Sequence, residues 1–127
     1  MLLFICFVIL RRIAKHPVVT SATVSASLVV YLASGVIWAK AYWLVDHFYP
    51  DSFTGLSGSG VLDVQRDLFY YSYVTLATLG YGDINPVGPE AGSLAITEAI
   101  VGQLYLVVLV AGLVGMSLSQ RQRRPDR

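Results

Sequence analysis

The chain has 127 residues, of which 55% are hydrophobic and 13% charged, with a formal net charge of +1. Soluble domains of this length carry nearer a quarter charged residues, so the composition excludes an ordinary water-soluble fold and points to a membrane as the solvent. A single cysteine, Cys6, excludes an intramolecular disulfide and a zinc cluster built from thiolates, and is expected to be a small buried apolar residue.

The opening "MLLFICFVIL" is apolar, but Arg11, Arg12 and Lys15 follow it, the reverse of a cleaved secretory signal. It is also short of the roughly 20 residues that a spanning helix needs. Residues 1–16 are therefore expected to form an interfacial or cytoplasmic segment. Residues 17–39 then run for 23 positions without a formal charge and lead to Lys40 among Trp38, Tyr42 and Trp43. This pattern predicts a first membrane helix over 18–48 that ends in an interfacial aromatic belt, with the Lys40 ammonium snorkelling to the headgroups.

The next stretch, "YPDSFTGLSGSGV", is rich in Pro, Gly and Ser and reads as an exposed outer loop over 49–66. Residues 68–82 follow with 15 uncharged positions. That is too few to span and too apolar for a loop in water, so a re-entrant segment is predicted. A short helix over 67–77, its start capped by Asp63 or Asp67, would descend about 15 Å, half the hydrocarbon thickness. Residues 78–82, extended at about 3 Å each, would climb back.

A second uncharged run of 22 residues covers 99–120 and extends back through Glu98, predicting a second span over 91–119. The end, "RQRRPDR" over 121–127, is expected to be a basic cytoplasmic tail. Seven of the nine basic residues flank the two spans, which places both termini on the cytoplasmic side of a plasma or inner membrane in a multi-pass protein. With seven residues after Gln120, no cytosolic ligand-binding domain is expected, and neither span carries the repeated arginines of a voltage sensor. The gating stimulus is left open.

Non-helical backbone at membrane depth persists only where protein packs it or where it lines a watery passage. The five carbonyls of "TLGYG", Thr78, Leu79, Gly80, Tyr81 and Gly82, therefore need a partner, and a dehydrated cation is the natural one. For successive carbonyls to face one axis the backbone must alternate in hand, which glycine does freely, and Gly80 and Gly82 stand at every second position. Thr78 adds a hydroxyl at the inner end. Asp83 closes the motif at the outer mouth, within a segment, 46–90, that holds six acids against one base, Arg66, and would concentrate cations.

"TLGYGD" between a half-length helix and a span resembles the selectivity filter of the two-transmembrane-segment potassium channel pore module, and the resemblance extends over 18–119. It implies an all-α membrane protein with two transmembrane helices, a re-entrant pore helix and a filter loop within a pore domain over 17–120, assembling as a fourfold homotetramer in the lipid bilayer. Bound, permeant K+ ions would occupy the filter, and no nucleic-acid partner or enzymatic activity is expected. Tyr70 and Tyr71 stand where the family has aromatics that support the filter, and interfacial anchoring is an equal alternative for Tyr70. Gly102 occupies the place of the hinge glycine, although close helix packing explains a small residue too and suits Gly112 and Gly115 better. At helical spacing, Gln103, Leu106, Val110 and Val114 are candidates to line the cavity.

Glu98 is an acid inside a span, a functional-site candidate by default. It is expected to lie buried behind the filter, protonated and hydrogen-bonded to a pore-helix group such as Tyr71, Ser72 or Thr75, so that a Gln replacement should alter filter stability. Two residues depart from the family pattern. Leu79 replaces the commonest Val, and Val74 occupies a position where some bacterial members pair a glutamate with the filter acid, so Asp83 must find another partner. The alternatives are a pore that passes Na+ as well as K+, or a non-conducting assembly or regulatory subunit. His16 and His47 fall on opposite sides of the bilayer in this topology, which leaves no cluster for catalysis.

Overall fold

The computed structural model describes residues 21–122. The expected segment 1–16, the first residues of the expected outer span and the tail from residue 123 lie outside the described residues. Among the described residues, three helices and one minimal strand pair appear in chain order: α1, Ser21–Phe48; β1, Phe53–Thr54; α2, Val61–Leu76; β2, Asn85–Pro86; and α3, Pro89–Gln122. The contacts gather into two units, and both long helices contribute to each. Residues 29–105 form one unit, and the described part of the other comprises 21–28 and 106–122.

α1 and α3 are apolar on all sides, the mark of a helix that lies in lipid or deep in a core. Val24–Phe48 and Pro89–Gly115 are long and apolar enough to cross a membrane, and only 22% of either window is buried, which a soluble core helix would not tolerate. Leu28, Val29, Leu32 and Val36 on α1 and Ile96, Ile100, Leu104 and Val107 on α3 all point outward.

The unit over 29–105 is knit by small residues and aromatics. Tyr42, Phe53 and Tyr71 meet edge to face with centroids 5.1 to 5.6 Å apart, the arrangement that ring quadrupoles favour. Trp38, Leu68, Ile84, Ala91 and Ala95 complete this core. Gly35 lies under the Tyr73 ring, so that a Cβ there would sit 2.8 Å from the ring's Cζ. The Tyr73 hydroxyl donates to the Leu32 carbonyl at 2.6 Å and keeps the ring in place.

Four boundaries differ from the sequence reading, the slightest being the end of α2, at Leu76 rather than 77. α2 begins at Val61 rather than 67, which shortens the expected loop 49–66. Its N-cap is Gly60, in extended conformation with no side-chain cap, so neither Asp63 nor Asp67 caps it. Asp63 sits in the first turn, where the helix dipole favours an acid. Charged residues over 61–67 read as loop because they interrupt the apolar run, yet their spacing continues the helical face that buries Asp67, Leu68, Tyr71 and Ser72. α3 begins at Pro89 rather than 91, because proline suits the first helical turn. It continues to Gln122 rather than ending at 119, since no glycine or proline intervenes before Pro125.

Candidate functional site

α2 hands directly to the "TLGYGD" turn. Ala77 donates to the Tyr73 carbonyl at 3.0 Å, Thr78 to the Thr75 carbonyl at 3.0 Å and Leu79 to the Val74 carbonyl at 2.9 Å, so the amides that leave the helix are drawn back onto its last turn. Beyond them the backbone alternates in hand. Thr78 has φ 57°, Gly80 58° and Gly82 78°. A Cβ on either glycine would meet nothing within 4 Å, so these positions want glycine for its conformation and not for space. Thr78 is the surprise, because a β-branched residue is rarely left-handed, and such strain gathers at functional sites. Residues 77–83 are all exposed in the single chain, Leu79 and Tyr81 by 56% and 66%.

The end of the turn is braced from several sides. The Tyr70 hydroxyl donates to Asp83 Oδ2 at 2.9 Å, which supplies the partner that Val74 does not. The accepting carboxylate of Asp83 pushes the Tyr70 phenol above its usual range, aided by partial desolvation. Tyr71 instead turns into the aromatic core. Asn85 Nδ2 donates to the Gly82 carbonyl at 2.7 Å. β1 pairs with β2 antiparallel, Phe53 opposite Pro86 and Thr54 opposite Asn85, which ties the loop after α1 to the chain leaving the turn. Gly55, at φ 87°, lets that loop approach so closely that a Cβ would sit 1.9 Å from the Asp83 carbonyl oxygen. Further along, Asp67 accepts from the Ser57 hydroxyl at 2.7 Å and the Ser57 amide at 2.6 Å, and these bonds hold its carboxyl below the ordinary range.

Behind the turn, the Tyr31 hydroxyl donates to the Leu76 carbonyl at 2.8 Å, satisfying one of the orphan acceptors at the end of α2. Gly102 is buried against the same residue, with Leu76 Cδ1 2.7 Å from where a Cβ would be, and α3 runs helical through it. Gly115, by contrast, has nothing within 4 Å. Glu98 is fully buried. Of its three expected partners Ser72 reaches it, at 2.6 Å from Oε1. Tyr42, whose hydroxyl donates to Oε2, went unforeseen because it lies 56 residues away on another helix. Thr75 is half-buried, and its carbonyl receives the Thr78 amide. Along α3, Gln103, Val110 and Val114 are exposed and Leu106 is half-buried. Tyr31, Tyr42, Gly55, Ser57 and Asn85 are the site residues that sequence reasoning missed. Only Gly55 carried a signal, as a glycine within a loop rich in Pro, Gly and Ser.

A family model described as "Ion channel" matches residues 18–119. Among curated proteins, the chain is 34% identical over 95 residues to "Two pore potassium channel c" of Oryza sativa subsp. japonica, covering 75% of this chain and 19% of that protein. It is 35% identical over 82 residues to "Inward rectifier potassium channel Kirbac3.1" of Paramagnetospirillum magnetotacticum, covering 61% and 24%. It is 40% identical over 53 residues to "Protein LctB" of Bacillus caldotenax, covering 42% and 39%. The chain thus spans about a fifth to a quarter of the length of the first two relatives.

Proposed function

The chain belongs to the ion-channel family, as a two-transmembrane-segment potassium channel pore module, and from that premise we propose that it conducts K+ passively and selectively across a cell membrane. The observation that carries the proposal is the alternation of left-handed residues at Thr78, Gly80 and Gly82. Alternate peptides turned over in this way bring consecutive carbonyls, those of residues 78–82, to one side, where they can replace the water around a K+ ion. One copy offers a single row, and encircling an ion takes several. Four copies around an axis form the cage, and contact between copies covers the outward Leu79 and Tyr81.

In this assembly the C-terminal ends of four α2 helices direct partial negative charge at the cavity below the filter, which favours a cation there. Tyr70 holds Asp83 at the mouth, Gln103, Leu106, Val110 and Val114 line the cavity, and Gly102 is the hinge about which α3 bends on gating. The pore domain covers 17–120, and both termini face the cytoplasm.

The test is rubidium uptake by sealed vesicles containing the purified protein, blocked by barium, with reversal potentials in mixed Na+ and K+. Barium-sensitive uptake and a potential that follows the K+ gradient are expected. A potential indifferent to the Na+/K+ exchange would mean an unselective cation pore. Impermeant vesicles would leave a non-conducting subunit and overturn the proposal.

A further inference from the structure

Within the unit over 29–105 sits a carboxyl that conduction by main-chain oxygens does not use. From Glu98 three oxygen contacts run in series: the Tyr42 hydroxyl to Oε2, the Ser72 Oγ 2.6 Å from Oε1, and the same Oγ 2.9 Å from the Gly35 carbonyl. Each such contact needs one hydrogen between its two oxygens. The tyrosine and the serine bring one each, and the Gly35 carbonyl brings none. The third hydrogen has one remaining source, the carboxyl itself. With a proton on Oε1, Glu98 donates to Ser72, Ser72 donates to Gly35, and Tyr42 donates to Oε2. Without it, Ser72 must give up one of its two acceptors.

The surroundings agree with that count. Among the described residues, the titratable side chains that sense Glu98 are Tyr31 and Tyr42 from α1 and Tyr71 from α2, none of them cationic. On α3 itself the other described acid, Glu90, lies in the first turn. Among the described residues, both ion pairs belong to Arg66, and Lys40 is engaged by Gln65. A fully buried carboxylate with no cation beside it is far less favourable than the neutral acid.

We infer that Glu98 is a positioning residue of the pore that works as a neutral carboxylic acid, its proton completing a chain that fastens α3 to α2 through Ser72 and α2 to α1 through Gly35. The inference rests on the conduction proposed above. Ser72 lies six residues before Thr78 on the helix that carries the filter, so loss of the proton frees Ser72 from Gly35 and loosens the filter's support. This reverses the expectation that Gln at 98 disturbs the filter. An amide offers a donor where Oε1 stands and an acceptor where Oε2 stands, so E98Q keeps the chain and removes the titration.

The test follows the carbonyl infrared band of a protonated carboxylic acid, together with rubidium flux, in vesicles of the full chain and of E98Q and E98A across pH. The wild type should show the acid band at neutral pH and E98Q should lack it. Wild-type flux should fall as the band disappears, tracking a neutral fraction that drops about tenfold per pH unit past its midpoint. The E98Q profile should be flat over that range, and E98A should lose flux that E98Q restores. A wild type without the acid band at neutral pH, or an E98Q profile that still falls as the wild type does, would overturn the inference. Should wild-type vesicles pass no rubidium at any pH, the conduction proposal fails, and the band alone decides on Glu98.

Discussion

At the scale of single residues, conformation and hydrogen bonding can be tested apart from packing. Gly80 and Gly82 are left-handed with open space where a side chain would go. Within one copy, an alanine at either position is therefore opposed by its backbone alone, by about 1–2 kcal/mol. Gly82→Ala should leave helix content and assembly intact while rubidium flux falls about tenfold, and a variant that conducts normally would separate conduction from this alternation. At the end of the turn, Tyr70→Phe removes the donor to Asp83 and should lower flux a few-fold without changing thermal stability. Asp67 gives a pH-dependent counterpart. Its folded carboxyl is held below the ordinary range by Ser57, so its contribution to stability is present above the unfolded carboxylate's pKa and is lost as pH falls through the lower, folded value. The thermal midpoints of wild type and Asp67→Asn should therefore differ at neutral pH and converge in acid. A constant difference would refute the linkage.

At the scale of elements, small residues set how closely helices meet. The Tyr73 ring over Gly35 is anchored at its hydroxyl, so it cannot swing away from an added methyl. Gly35→Ala should cost about 1–3 kcal/mol by overpacking, and the double variant with Tyr73→Leu should cost less than the two changes summed, read from denaturation of the detergent-solubilised protein. The three helices and the hand-alternating glycines were legible in the sequence because each is a local pattern: uncharged length, a half-length run, glycines at every second position. The start of α2 was not, because Asp63, Arg66 and Asp67 break the apolar run there and make it read like loop. Nor were the pairings Tyr42 with Glu98, Tyr31 with Leu76 and Tyr70 with Asp83, because periodicity states which face a residue takes and not what another helix brings to it. The left-handed Thr78 was hidden for the opposite reason, since its side chain argues against the conformation that it adopts.

For the whole molecule, the outward-facing side chains of the two long helices fall to lipid or to other copies, and the proposed assembly divides them. Cross-linking of purified protein in mild detergent should stop at four copies, and a species that stays single would remove the cage on which conduction depends. In such an assembly the two-rung pairing of β1 with β2, together with the close approach at Gly55, has a mechanical consequence. The external loop is not a free tether hanging in water but a handle riveted to the point where ions leave the protein. An antibody fragment raised against residues 49–60 should therefore alter ion permeation without reaching the pore axis, and its effect should disappear when a flexible insertion after Thr54 uncouples the handle from the exit.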